Sequence, residues 1–454
     1  MPTTTGKINH FTGWPRWINI PTAVLFLTFL IFLFYAVAAL FFPVVYVKAT
    51  YEDLYGEWSQ TYFLLASLIA SILAVRKKGM KAGWFFVVVA LASFYSFGEE
   101  ISWGQRIFDI ETPEYFAQHN IQGEMNIHNL FTGPVDTWTE TLLTWAVSLA
   151  LFGYGVAFPL LARLDFPPAR WMIAKGVCPP PLFISPAFGL AAILELEPFA
   201  FNEQEVAELL ATFGMAITSC HYALLWRKGV DPLLSPSQWP EKIATRYSKM
   251  VLLVPSLVVL AAVITVRLEY LSPNQREPIE TRLANGYEKF AHRYQRYHYW
   301  KGVEAMLVAL DKARPENTVV LRWLAKVRSR QHDQRGFEKY AKQALAVGLK
   351  RFKNNPDQIS TSVSLSKTYR LLGKKELATG YARRAYLLAV AKVQKNPDDP
   401  HWDYWLAKSC EQVENYECAL YFYKKAYQIA PYNHRYRKAY FAFRSLIDAY
   451  AKTN

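Results

Sequence analysis

The chain has 454 residues, of which 52% are hydrophobic and 19% charged, with a formal net charge of +14. A mean hydropathy near zero fits neither a soluble enzyme nor a bundle of membrane helices alone. Residues 271–454 carry 34 of the 51 Lys and Arg and 17 of the 37 Asp and Glu, a net of +17, whereas residues 1–270 sum to −3. A nearly neutral apolar half therefore precedes a basic soluble half.

In chain order, the first apolar run spans 22–47. Ala36-Val37-Ala38 faintly resembles a signal-peptidase site, but the run is too long for a secretory core and reads as a retained span. Further runs lie near 61–75, 83–98, 138–162, 181–198, 206–226 and 250–266, making seven candidates. The links at 76–81, 163–175 and 227–249 are basic and are expected in the cytoplasm. The alternate links are acidic or mixed: Glu52, Asp53 and Glu57, then 99–137, then Glu195 to Glu208. This alternation predicts a cytoplasmic N-terminus, seven spans and a C-terminal half on the outer face, which for the inner membrane of a Gram-negative bacterium is the periplasm. If 181–198 only dips into the bilayer, the parity reverses. Trp14, Trp17 and Trp84 read as interfacial belt residues.

The stretch Phe97–Asn129 is the most polar part of the first half. Ionisable groups set against a membrane span are costly unless paired or solvated, so it is the default candidate site. A helix continued to Phe108 would align Glu99, Ser102, Trp103 and Arg106, with Arg106 as counter-charge to Glu99. Thr112-Pro113-Glu114 reads as a helix start. Glu124 and His128 are four residues apart, a spacing at which a carboxylate and an imidazole share a divalent metal on one helix face. Glu99, Glu100, Arg106 and Glu124 are the candidate acid–base residues. His119, Glu124 and His128 are the candidate metal ligands. The same residues serve equally as a packing and anchoring cluster, or as a substrate site without chemistry. Glu195, Glu197 and Glu203 are expected on the same side. His221, inside a span, reads as a helix–helix hydrogen-bonding group.

Beyond Leu271 a repeat of 41 residues appears in four copies. Leu283, Leu324, Leu365 and Leu406 keep that spacing, each followed by a small residue (Ala284, Ala325, Ser366, Ala407). So do Ala344, Ala385 and Ala426, with Val303 in the first copy, and Pro315, Pro356 and Pro397. This pattern resembles tetratricopeptide repeats over roughly 277–440. The resemblance implies an α-solenoid that presents a concave surface to a partner. Those repeats have a period of 34, so a longer second helix and turn would absorb the extra seven residues here. Cys178, Cys220, Cys410 and Cys418 are too few for a disulfide framework and read as buried thiols, although Cys410 and Cys418 could meet across two packed helices.

There is no P-loop, serine-hydrolase elbow, zincin motif or dinucleotide fingerprint. No nucleic-acid motif accompanies the basic charge, which suits anionic lipid, acidic polysaccharide or an acidic protein. The string from Gly98 to Arg106, with Asn120–Glu124 and His128-Asn129, resembles a signature of uncharacterised bacterial multi-pass membrane proteins and implies no activity. A weaker likeness, to CAAX-type intramembrane endopeptidases, fails on the wider spacing from Glu100 to Arg106.

The expected fold is all-α. A polytopic transmembrane bundle of about seven spans (1–270) is followed by a tetratricopeptide-like solenoid (271–454). Two functions fit: a scaffold or assembly factor of a cell-envelope complex, or a membrane-embedded, metal-dependent enzyme acting on a lipid or lipid-linked substrate at the outer leaflet.

Overall fold

The computed structural model describes residues 20–51, 54–105, 110–119, 125–127 and 138–453, and every regular element among them is helical. The chain divides into two compact units, Met1–Leu283 and Ala284–Asn454.

The first unit comprises α1 (Ile20–Phe41), α2 (Pro43–Thr50), α3 (Tyr55–Lys78), α4 (Trp84–Glu100), α5 (Glu114–His119), α6 (Trp138–Phe152), α7 (Phe158–Arg163), α8 (Pro167–Ala174), α9 (Ser185–Glu195), α10 (Glu203–Lys228) and α11 (Glu241–Leu271). A π-helical turn, Gly153–Ala157, joins α6 to α7. Five helical stretches among the described residues are long and apolar enough to cross a membrane: Ile20–Phe41, Pro43–Lys78, Thr141–Arg163, Glu203–Lys228 and Glu241–Leu271. Their outward faces are apolar, as Phe26, Phe29, Leu33, Leu142 and Leu260 illustrate. Such surface suits lipid, since in water it would be a large exposed patch.

Side-chain contacts fix the direction of each helix. On α3, Gln60 donates to the Glu205 carbonyl, Ser67 and Ser71 meet Ser219, and Lys78 lies over Trp226. Hence α3 runs parallel to α10. Phe86 packs on Tyr222 and Trp226, so α4 runs the other way. Ser93 donates to Ser67 at 3.1 Å, completing a buried chain of four serines between α3, α4 and α10. Small hydroxyl residues let helix backbones approach and bond where lipid offers no partner. Tyr62 meets Thr265, and His221 meets Tyr247, so α11 is antiparallel to both α3 and α10.

The doubtful run 181–198 is resolved by the same kind of contact. Helix α9 has 11 residues and rises only about 16 Å, half of a hydrocarbon core. The residues before it, a stretch without regular structure at 177–181 and a 3-10 turn at Leu182–Ile184, supply the remaining length. Trp84, at the start of α4, donates to the Lys175 carbonyl at 2.8 Å; Gln204, at the start of α10, donates to the Glu195 carbonyl at 3.2 Å. The stretch between Lys175 and Glu195 therefore runs the length of α10. Pro179 and Pro180 are buried there and bring no N–H to satisfy. The carbonyls of Cys178 and Pro179 accept from the hydroxyls of Tyr154 and Tyr222. Satisfying these carbonyls helps a non-helical segment to stay inside the bundle. Counted this way, the described chain makes seven lengthwise passes through the unit. Arg76, Lys77, Lys78, Lys175, Arg227 and Lys228 gather at one end, and Glu100, Glu195, Glu203 and Glu205 at the other.

The second unit is built of helix pairs. It begins within α12 (Pro273–Arg296), whose Tyr294 meets Tyr299 and Gly302 at the start of α13 (Trp300–Ala313). Then come α14 (Thr318–Arg330) with α15 (Gln334–Asn354), α16 (Ile359–Leu371) with α17 (Lys375–Lys395), and α18 (Pro400–Gln412) with α19 (Tyr416–Ile429), closed by α20 (His434–Thr453). The periodic residues form the seam: Leu324, Ala325, Leu365, Ala385, Ala407 and Ala426 are fully or almost fully buried. Pro315, Pro356 and Pro397 sit in the turns between pairs, where no backbone donor is missed. The seven extra residues are visible in α15 and α17, which have 21 residues each where α13 and α19 have 14. Cys410 and Cys418 are not free thiols. Packing α18 on α19 brings their Cα atoms to 5.9 Å, and they form a disulfide. Cys178 and Cys220 are free.

Candidate functional site

In the first unit the polar stretch begins where α4 ends. The expected continuation to Phe108 does not occur. Helix α4 stops at Glu100, and Ser102, Trp103 and Gly104 take φ of 46°, 52° and 82°. Left-handed backbone costs roughly 1–2 kcal/mol per non-glycine residue, so specific contacts must hold it. Two do. The Trp103 ring folds back over Gly98, where a Cβ would lie 2.9 Å from the ring. Its indole N–H donates to Glu99 Oε1 at 2.7 Å.

The other carboxylate oxygen of Glu99 accepts the backbone N–H of Ile127 at 2.7 Å. Gln105 acts in parallel: its carbonyl oxygen accepts from Met125 N at 2.8 Å, and its amide donates to Thr112 Oγ1 at 2.6 Å. Glu99 is 5% exposed, and Ser102 and Asn126 are also buried. Glu99 and Gln105 thus tie the 112 and 125–127 segments to the end of α4. A carboxylate engaged at both oxygens positions a loop.

Glu100 is placed differently. Glu99 and Glu205 are close enough to act on its charge, and Glu208 lies within reach of both Glu100 and Glu195. Three elements, α4, α9 and α10, therefore converge their carboxylates at this end. Glu203 is held locally, accepting the N–H groups of Phe199 and Phe201 in a turn with positive φ at Glu197, Ala200 and Asn202. Arg106, Glu124 and His128 lie outside the described residues, and His119 closes α5 with its side chain undescribed. Among the described residues no group of three His, Cys, Asp or Glu is arranged to hold a metal ion. At the opposite end His221 bridges structure. Its Nε2 lies 2.9 Å from the Pro232 carbonyl, which can only accept, so Nδ1 accepts from Tyr247 OH at 3.1 Å.

In the second unit the first helices of the last three pairs line a groove of about 580 Å³. Its basic lining residues are Arg322, Arg351, Lys367, Lys408 and Arg435, and the lining includes no carboxylate among the described residues. Arg322 is 9% exposed and donates to neutral oxygens only, Ser364 Oγ at 2.7 Å and, more weakly, Ser364 O and Thr368 Oγ1. Burial lowers its pKa to about 10. Lys367 is pushed down to about 8, first by burial and then by the positive charge of Lys408, against a smaller opposing pull from Glu411. Glu411 is committed elsewhere: it pairs with Lys408 at 3.3 Å and accepts from Tyr423 OH. Arg435 stacks over Tyr404 at 4.4 Å. None of these groove residues stood out in the sequence as individuals. The repeat was the available signal, because Lys367 and Lys408 are spaced by its 41 residues.

No family model matches the chain, and no curated protein does. Solved structures of MamA align with 37% of it, each at a TM-score of 0.17. The RS-1 ArsTM double mutant is matched over 85% of its length at 16% identity, and the 41-end form from Desulfovibrio magneticus RS-1 over 86% at 16%. A likeness this slight carries no argument. The tetratricopeptide-like character of the second unit rests on its own helix pairs.

Proposed function

We propose that the protein is a membrane-anchored scaffold of the bacterial inner membrane whose solenoid docks a protein partner on the periplasmic side. The carrying observation is the groove of the second unit, whose lining holds five cations and no carboxylate; Lys408 pairs with Glu411 outside the lining, but buried Arg322 bonds only neutral oxygens. Buried charge left without a counter-ion is costly, and a bound partner would offset that cost. The periplasmic placement draws support from three features: seven lengthwise passes, a basic end that suits the cytoplasm, and a disulfide, which persists in oxidising compartments. In this reading Glu99 and Gln105 are structural, and the first unit is the anchor.

A photo-cross-linking residue at Ser360, in the groove lining, tests the scaffold in cells. A discrete cross-linked protein is expected, lost with Lys367→Glu and kept with Glu99→Gln and Glu100→Gln. Loss in the carboxylate variants alone would overturn the scaffold.

One observation favours a second reading. The carboxylates of Glu100, Glu195, Glu205 and Glu208, gathered from three helices, suit acid–base chemistry on a lipid-linked substrate at the outer leaflet, and a divalent-metal site there would need Glu124, His119 and His128 as ligands, with Arg106 as a further charge. Stoichiometric metal in the purified protein, lost in Glu100→Gln, would support it.

A further inference from the structure

The groove is specific enough to name the chemistry of its occupant. Lys367 and Lys408 occupy the same position on α16 and α18 and both line the groove, whereas Lys326, their counterpart on α14, lies outside the lining and Arg322 takes its place there. These helices are neighbours. Arg322 on α14 reaches Ser364 on α16, and Arg370 on α16 donates to the Gln412 carbonyl at the end of α18. Packed helix axes lie about 8–10 Å apart, and an extended chain rises about 3.3 Å per residue. One step from helix to helix therefore matches about three residues of extended peptide.

We propose that this groove binds an extended acidic peptide segment of a partner protein, with carboxylates three residues apart facing Lys367 and Lys408. Arg322 adds a preorganised cation: its guanidinium is held by Ser364 and Thr368 and pairs with no carboxylate among the described residues. Ser360, Thr361 and Asn317 supply neutral hydrogen-bonding groups for the peptide backbone, and Tyr404 and Trp405 give an apolar wall. A segment fits better than a folded surface because the feature is a concave groove, and peptide recognition in grooves reads regularly spaced side chains. The proposal rests on the scaffold reading and gives its partner a chemical class.

The test uses the full chain in neutral-lipid nanodiscs and fluorescent peptides of about twelve residues, long enough to span the groove. One peptide places Glu at every third position, a second has the same composition with its Glu residues adjacent, and a third replaces Glu with Gln. The spaced peptide is expected to bind, more weakly as salt rises. Lys367→Gln should weaken it about tenfold, the loss of one charged hydrogen bond. Arg435→Gln, at an exposed position in the lining, should do the same without disturbing the fold. Equal binding of the adjacent-Glu or Gln peptide would overturn the proposal, as would tighter capture of phosphatidylglycerol vesicles through the same lysines. If no peptide binds while the Ser360 cross-link persists, the occupant is wrong and the scaffold stands. If the cross-link is absent too, both fall.

Discussion

Trp103 donates its indole N–H to Glu99 across a backbone that has already left the helix. The bond is made at the i, i+4 spacing of a helix, yet Ser102, Trp103 and Gly104 are left-handed. The pair therefore acts as a clasp that ends α4, while the second oxygen of Glu99 holds Ile127.

That clasp predicts asymmetric mutant effects. Glu99→Gln keeps one acceptor but turns an amide donor toward either Trp103 or Ile127. It should cost roughly 1–3 kcal/mol, the penalty for an unsatisfied buried polar group. Trp103→Phe keeps the ring and loses one bond, at about 1 kcal/mol. Thermal unfolding in detergent should rank Glu99→Gln below Trp103→Phe, and Gly98→Ala should also destabilise because its Cβ meets the Trp103 ring. Equal midpoints for all three variants would contradict the clasp.

His221→Phe should be destabilising by roughly 1–3 kcal/mol, since it strips the hydrogen-bond partner from both Tyr247 OH and the Pro232 carbonyl. Tyr247→Phe removes only the hydroxyl and should cost less. The double variant should cost less than the two single changes added together, because they share one bond.

Lys367 predicts a pH dependence with a definite sign. Below about pH 8 it is charged both folded and unfolded, and the folded state bears the cost of burying it near Lys408, Arg322 and Lys326, which Glu411 offsets in part. Between pH 8 and its ordinary value the unfolded chain binds more protons, so this contribution to stability rises with pH. Lys367→Met should therefore stabilise the solenoid by roughly 1–3 kcal/mol at pH 7. The advantage should fade as pH climbs past 8, read from denaturant unfolding across that range. An acidic ligand should act oppositely, binding with proton uptake and weakening above pH 8.

The disulfide is testable by thiol counting. Denatured, unreduced protein should expose the thiols of Cys178 and Cys220 only, and reduction should add Cys410 and Cys418. Closing so short a loop stabilises by about 2.5 kcal/mol in the chain-entropy account, so Cys410→Ser with Cys418→Ser should lower the stability by a comparable amount. Four free thiols in protein taken from cells would argue against a periplasmic solenoid.

Much of the architecture was legible because it is periodic. Apolar run lengths and alternating loop charges pointed to the spans, and the 41-residue spacing of Leu324, Leu365 and Leu406 located the solenoid and its buried seam. The candidate site was legible only as a place. Glu99 and Trp103 stand at helical spacing in the sequence, which suggested a continued helix, and Arg106 looked like the natural partner of Glu99.

By itself, then, the sequence determined the features that local periodicity sets: which segments are helical and apolar, where the charge resides, and which small residues permit close packing. Tertiary structure decided what depends on contacts between distant residues. It ended α4 at Glu100 because Trp103 finds Gly98 and Glu99, and carried Lys175–Glu195 along α10 because Tyr154 and Tyr222 satisfy its carbonyls. It also joined Cys410 to Cys418 and set Lys367 beside Lys408 and Arg322. Periodicity is a property of neighbours along the chain, whereas a hydrogen bond, a disulfide or an uncompensated charge depends on groups that only folding brings together.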